Sequence, residues 1–159
     1  TGKPSPLGMC IKNGIIYGDY MTSYSVMAVK NDGTIYTPAQ GLMGKDLLAA
    51  GVKDTYNFGP ILIQNGEAQL PWAETEKYYP RTAVGMVKPN DYVLLVTDTG
   101  TYNGLNHWDM VNIFKSYGCT YAYNLDGGGS ATLYFNGKVM NKLIGNTQRP
   151  CADFLYFTR

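Results

Sequence analysis

A chain of 159 residues with 45% hydrophobic side chains is long enough to bury one sizeable core and short for two, so a single domain spanning residues 1–159 is expected. Thirteen basic against twelve acidic side chains leave a formal charge of +1, which provides no field for nucleic acid or an anionic membrane surface. No apolar run reaches the length that crosses a bilayer, so membrane insertion is not expected either. An anionic ligand would have to be met by local groups.

Taken in chain order, the sequence reads as short strands punctuated by turns. Asn-Gly occurs at 13–14, 65–66, 103–104 and 136–137, and Asn-Asp-Gly at 31–33. Both are sequences in which successive residues accept positive φ, and most are expected to close hairpins. Three pairings follow: Cys10–Lys12 with Ile15–Tyr17, Val26–Val29 with Thr34–Tyr36, and Leu133–Phe135 with Lys138–Met140. A short helix is expected over residues 44–50, stopped by Gly51. A stronger one begins after Asn106 as N-cap, with Asp109 in its first turn. Met110, Val111, Ile113, Phe114 and Tyr117 form its apolar face, and Gly118 ends it. Hairpins with separate helices indicate an α+β fold: a mixed, largely antiparallel sheet with two or more helices packed against it.

Fourteen tyrosines suit a half-buried sheet surface and a sugar-binding cleft equally; for any one of them, packing on a strand is the plainer reading. Cys10, Cys119 and Cys151 cannot all pair within one chain, and their spacing is not that of a zinc site, so buried free thiols are expected.

The densest chemical signal is Asn124-Leu125-Asp126-Gly127-Gly128-Gly129-Ser130-Ala131-Thr132-Leu133. Tyr121 to Leu125 reads as a buried strand and Ala131 to Phe135 as its successor, with a carboxylate and three glycines between them. Such a run points to unusual dihedrals or to space cleared for a ligand, and successive amides there can cradle an anion. A flexible connector or tight turn is the commoner meaning of a Gly-rich turn in general. The two-residue strand period, however, puts Asn124 and Asp126 on one face, and Ser130 adds a hydroxyl at the exit. The run is neither a Walker loop nor a dinucleotide loop, since it lacks the Lys-Ser/Thr ending and the Gly-x-Gly-x-x-Gly spacing.

At these residues the chain resembles the phosphodiester glycosidase family. The resemblance runs in order from about Gly8 to Phe157. It includes Gly59-Pro60-Ile61-Leu62-Ile63 with Asn65-Gly66, Arg81-Thr82-Ala83-Val84-Gly85, Val96-Thr97-Asp98, Gly104-Leu105, Asn124 to Leu133, and Arg149 near Ala152-Asp153. The Asn124–Leu133 segment is its most specific part. The resemblance implies a hydrolase that cleaves a glycosyl phosphodiester, or a related glycosidic bond, in a cell-envelope or exopolysaccharide substrate. It further implies an extracytoplasmic protein of bacterial or phage origin, in which a Cys10–Cys151 or Cys119–Cys151 disulfide can form. Family members usually carry an upstream strand with an Asn-Gly-Gly-Phe-like motif; nothing in Thr1 to Ser5 matches it, so a domain lacking that strand is expected.

Such a substrate sets three tasks: cations or amides for the phosphate, a carboxylate at the anomeric centre, and polar partners for the sugar hydroxyls. Asp126 and Asp98, at the ends of apolar strands, are the candidate catalytic pair. Thr97-Asp98-Thr99-Gly100 also reads as a plain turn. Arg81 and Arg149 are the candidate phosphate clamps. Thr82, Asn124, Gly127, Gly128, Gly129 and Ser130 are the remaining substrate-binding candidates. Asp126, Asp98 and Asn124 could instead hold calcium or magnesium, whose hard oxygen ligands they match, though two carboxylates and an amide are a weak metal signal. His107, beside Trp108, reads as an exposed helix-start residue rather than a base. Ser130 has no nucleophile elbow around it. Tyr78-Tyr79-Pro80 reads as a loop over the site, and Asn106 as a capping residue standing where the family more often has Thr. The alternative function is a non-catalytic carbohydrate- or phosphoglycan-binding module on the same fold. The oligomeric state, the sugar and the stereochemical outcome are not encoded in these patterns.

Overall fold

The computed structural model describes residues 5–69, 77–98 and 103–157. The elements are, in order, β1 (Cys10–Lys12), β2 (Ile15–Gly18), β3 (Ser25–Lys30), β4 (Ile35–Tyr36), α1 (Gly44–Ala49), β5 (Val52–Phe58), β6 (Ile61–Gln64), β7 (Glu67–Ala68), β8 (Thr82–Lys88), β9 (Asp91–Val96), α2 (His107–Ser116), β10 (Tyr121–Leu125), β11 (Tyr134–Phe135) and β12 (Lys138–Val139). All strand pairs among the described residues are antiparallel.

The three expected hairpins form as β1–β2, β3–β4 and β11–β12, and Asn65-Gly66 closes a fourth, β6–β7. Asn13, Asn65 and Asn136 each have positive φ, as does the glycine that follows, which is the backbone such turns require. Asn103-Gly104 has the same φ signs but closes no hairpin; it sits in the bend that leads into α2.

The strands do not join one sheet. Five of them, in the order β7-β6-β10-β8-β9, form the main sheet, and three, β4-β3-β5, form a second; β1–β2 and β11–β12 stand as separate pairs. Two α-helices occur among the described residues, one of six residues and one of ten, and they pack on different sheets. The expectation of helices on a single sheet is therefore corrected to a stack in which the sheets dominate.

Side-chain alternation explains the stack. On β10, Tyr121 and Tyr123 point to one face and join Met27, Val29, Tyr56, Val84 and Met86 in the core between the two sheets. Ala122, on the other face, packs with Leu62, Ala83, Met110, Val111 and Phe114 beneath α2. β3 repeats the device: Met27 and Val29 face the main sheet, while Val26 and Ala28 face Met9, Ile11 and the α1 residue Leu47. α2 lies close to the sheet at Gly85, where a Cβ would come 2.5 Å from Phe114 Cδ1 and 2.7 Å from Cys119 Sγ. A larger residue at the end of Arg81–Gly85 would lift the helix.

α2 is capped as expected, with Asn106 Oδ1 accepting from Asp109 N–H at 2.8 Å and Asn106 N–H donating to Asp109 Oδ2 at 3.4 Å. Its apolar face is narrower than expected, because Tyr117 stands past the last turn and is exposed. His107 is corrected in the other direction: the first turn of α2 is packed down and the imidazole is buried. Ala131-Thr132-Leu133 does not extend a strand. A single turn of 3₁₀ helix occupies Gly128–Ser130, and Asn141 then captures the backbone, its Oδ1 accepting from Leu133 N–H at 2.8 Å and its Nδ2 donating to Ala131 O at 2.9 Å. Cys10 and Cys119 are buried, Cys151 is exposed against expectation, and all three are free thiols.

The two sheets are joined by more than apolar contact. Tyr123, fully buried, donates its hydroxyl to Ser25 O at 2.5 Å and accepts from Phe58 N–H at 2.8 Å; Tyr121 shares a 2.7 Å hydrogen bond with Thr37 Oγ1. Tyr123→Phe leaves the Phe58 amide without its partner and should lower unfolding free energy by about 1–3 kcal/mol, measured by urea denaturation. Burial raises the pKa of Tyr56, Tyr121 and Tyr123 above the ordinary phenol value. Because their folded-state values lie above the unfolded ones, this contribution is intact at neutral pH and is lost as pH climbs past about 10. Melting temperature should fall through that alkaline range, and less steeply in Tyr123→Phe.

Candidate active site

Strand direction assembles the site. β8 runs antiparallel to both neighbours, with Thr82 opposite Leu125 of β10 on one side and Val96 of β9 on the other. The starts of β8 and β6 and the ends of β9 and β10 therefore lie at one edge of the main sheet. Arg81, Thr82, Asp98, Asp126 and the Gly59-Pro60 bend converge there. Leu125 and Val96 are two inter-strand spacings apart, about 10 Å, and the two candidate carboxylates follow them.

Asp126 is the hub. Its Oδ2 accepts from Arg149 Nη2 at 2.7 Å and from Ser130 Oγ at 2.8 Å, and its Oδ1 accepts from Gly127 N–H at 2.8 Å. The strand ends at Leu125, and Asp126 lies just past it, two residues before the 3₁₀ turn at Gly128–Ser130. The carboxylate is half exposed, whereas Asn124 is buried and donates Nδ2 to Gly59 O at 2.7 Å. Asn124 is the last but one residue of β10 and Asp126 lies just past its end, where the two-residue strand period no longer assigns a face.

The glycines shape the turn unequally. Gly127 passes so close to the preceding bend that a Cβ would lie 2.4 Å from Pro80 O, and Gly128 N–H donates to that same carbonyl at 2.8 Å. Gly129 lies against the stem of Arg149, with room for a Cβ at 3.6 Å from Cδ.

Asp98 accepts from Lys142 N–H at 2.9 Å. Lys142 follows Asn141, the residue that holds Ala131 and Leu133, so both candidate carboxylates are tied to the segment leaving the glycine turn. Thr99 and Gly100, the second half of the turn read around Asp98, lie outside the described residues. Arg81 is a brace as well as a candidate clamp: Nε donates to Leu105 O at 3.1 Å, Nη2 to Lys77 O at 2.9 Å, and the guanidinium lies 5.2 Å from the Tyr79 ring centroid. Its backbone N–H donates to Thr97 Oγ1 at 3.0 Å. Tyr78 and Tyr79, both half exposed, border the site as expected.

Two polar atoms near the site are buried with no hydrogen-bond partner, Asn124 Oδ1 and Thr82 Oγ1. Such groups cost free energy unless water or ligand meets them. The sequence reading missed Asn141, which organises the exit segment, because an Asn just past a hairpin carries no distinguishing signal, and it named Thr97 only as a neighbour of Asp98, not as a partner of the Arg81 amide. Among the described residues, no group of three or more His, Cys, Asp or Glu side chains is placed to hold a metal ion.

The chain belongs to the phosphodiester glycosidase family, whose sequence model matches residues 1–158. It is 29% identical over 160 residues to the SPbeta prophage-derived uncharacterized protein YomE of Bacillus subtilis (strain 168), covering 94% of this chain and 25% of that protein. It is 43% identical over 156 residues to mouse N-acetylglucosamine-1-phosphodiester alpha-N-acetylglucosaminidase, covering 82% of this chain and 29% of the enzyme. The chain thus spans roughly a quarter of the length of these relatives. Its fold is similar to that of the zebrafish N-acetylglucosamine-1-phosphodiester alpha-N-acetylglucosaminidase catalytic domain, described as auto-inhibited by its pro-peptide. The TM-score is 0.71 at 22% identity, over 92% of this chain and 55% of that one.

The contacts of the glycine turn predict opposite outcomes for two alanines. Gly127→Ala must displace backbone at Pro80 and should cost about 1–3 kcal/mol, whereas Gly129→Ala should change thermal stability by less than about 1 kcal/mol. Thermal denaturation of both variants checks this.

Proposed function

We propose that this domain is a hydrolase that breaks the bond between the anomeric carbon of a sugar and the oxygen of a phosphodiester. The observation that carries the proposal is the Asp126 carboxylate, held by Arg149, Ser130 and the Gly127 amide at the same sheet edge as Asp98. Asp126 acts at the anomeric carbon, as nucleophile or as base for water, and Asp98 handles protons or orients the reacting groups. The carbon–oxygen bond breaks, the phosphomonoester leaves with the bridging oxygen, and water supplies the hydroxyl of the freed sugar. A phosphate leaving group needs little protonation, which lowers the demand on Asp98.

Arg149 links binding to this step. The Arg149 and Asp126 side chains are 56% and 48% exposed, and a pair so wet contributes only about 0–1 kcal/mol. A substrate phosphate, which offers the guanidinium a matching pair of oxygens, can draw it from the carboxylate and leave Asp126 facing the anomeric centre. Gly127, Gly128 and Gly129 let the phosphate approach the backbone. Arg81 braces the entry loop and adds positive charge, and the exposed Ser130 hydroxyl offers a polar partner to the sugar, while Thr82 and Asn124, whose Oγ1 and Oδ1 are buried, support the site from within the sheet.

The mouse relative is named for N-acetylglucosamine, and the Bacillus relative is prophage-derived. The proposed substrate is accordingly a glycosyl phosphodiester of a bacterial envelope or exopolysaccharide polymer, met outside the cytoplasm by this single domain. Calcium or magnesium at Asp126, Asp98 and Asn124 would compete with Arg149 for the same carboxylate. The binding-module reading draws on that closed ion pair, which occupies the group that should react.

Sugar release from an aryl phosphodiester of N-acetylglucosamine 1-phosphate, with and without EDTA, tests the proposal. Wild type should hydrolyse it independently of EDTA, and Asp126→Asn should lose about 10²–10⁴-fold in rate while keeping its thermal stability. Equal, measurable rates for the two proteins would remove Asp126 from the chemistry, and no turnover by either would favour the binding module.

A further inference from the structure

A second concavity lies away from the sheet edge, between the β1–β2 hairpin, β5 and residues 152–156. Its volume is about 620 Å³, within the roughly 300–1,000 Å³ typical of small-ligand sites. Tyr17, Tyr20, Phe154 and Tyr156 line it, and these four rings are 67%, 49%, 75% and 59% exposed. So many solvent-facing aromatic rings around one groove are not core packing, and a ring with a polar tip suits a wet, partly apolar ligand.

The groove's charges narrow the ligand class. Lys12 Nζ is already engaged: it pairs with Asp153 Oδ2 at 3.1 Å, donates to Thr55 O at 3.0 Å and lies 3.4 Å from the Tyr56 ring centroid. Asp54, also lining the groove, accepts from Asn13 N–H at 2.9 Å. Among the described residues of the lining, one cation, already engaged, stands against two carboxylates, so an anion is disfavoured. Hydroxyl groups, which both donate and accept, can be met by these carboxylates and amides while the rings cover the apolar faces of the same ligand. That combination describes a neutral saccharide.

Its position ties it to the sheet edge. Asp54 and Phe58 are four residues apart on β5, about 13 Å, and Phe58 leads into the Gly59-Pro60 bend that receives Asn124. From the other side, Arg149 at the Asp126 carboxylate is four residues from Asp153 in the groove, at most about 14 Å of chain. One C-terminal segment thus contributes to both places.

We propose that this groove is a second binding site, which takes a neutral oligosaccharide stretch of the substrate beyond the reacting sugar phosphate. The inference rests on the carbohydrate chemistry proposed above and extends it to a site that contributes binding energy without contacting the reacting atoms. Chitotetraose, which has no phosphodiester, is the probe. Isothermal titration should show it binding to wild type, with Tyr17→Ala/Tyr156→Ala weakening binding about tenfold or more. Both rings are exposed, so the double variant should keep its melting temperature. Absence of binding to wild type, or equal binding by the two proteins, overturns the groove assignment even if sugar phosphodiesters are hydrolysed. Groove-dependent binding by a protein that hydrolyses nothing upholds the groove and removes the catalytic reading instead.

Discussion

The arrangement depends on β10 being buried on both faces, and within it on the Tyr123 hydroxyl. A phenol with no exposure must find partners, and this one takes them from Ser25 O and Phe58 N–H, two groups of the second sheet. It thereby fixes β10 against β3 and β5. The backbone completes the clamp: Gly59 N–H donates to Asn124 O at 3.0 Å and Asn124 N–H to Pro60 O at 3.1 Å. Asp126 follows directly on the last residue of this strand, so its position derives from a hydrogen-bonded core beneath it. The carboxylate itself is half exposed and gains its orientation from Ser130, Arg149 and the Gly127 amide.

The site therefore divides into a rigid part and an exchangeable part. Asn124, Thr82 and the Gly59-Pro60 bend belong to the sheet and are packed. Arg149 belongs to an exposed segment, and its ion pair is weak enough to be redirected by a better partner. In the proposed reaction the cation would move to the substrate phosphate while Asp126, held by Ser130 and the Gly127 amide, stays at the anomeric carbon. Arg81, held by the Leu105 and Lys77 carbonyls, shapes the approach in the meantime.

What could be read from the sequence was local. Asn13-Gly14, Asn65-Gly66 and Asn136-Gly137 close hairpins because both residues of each pair adopt positive φ, and Asn106 with Asp109 caps α2 through contacts three residues apart. That Arg81, Asp98 and Asp126 stand next to strand ends was legible, whereas their placement at one end of the sheet follows from the strand pairing. What escaped was long-range or one residue past a boundary. Local pattern does not record that β10 pairs with β6 and β8, roughly 60 and 40 residues upstream, or that Tyr123 faces a second sheet. The two-residue period used to place Asp126 does not reach it, because the strand stops at Leu125. Ala131–Leu133 looked like a strand because its β-prone composition hides the capture of its backbone by Asn141. His107 looked exposed because a helix start usually is.

The central claim is that water attacks carbon rather than phosphorus, at a centre set by Asp126. Hydrolysis of a sugar-1-phosphodiester in ¹⁸O-enriched water, followed by mass spectrometry of both products, tests it most directly. The account predicts the label in the released sugar and none in the phosphomonoester. Label in the phosphate would show cleavage of the phosphorus–oxygen bond, and the roles assigned here to Asp126 and Arg149 would then be wrong.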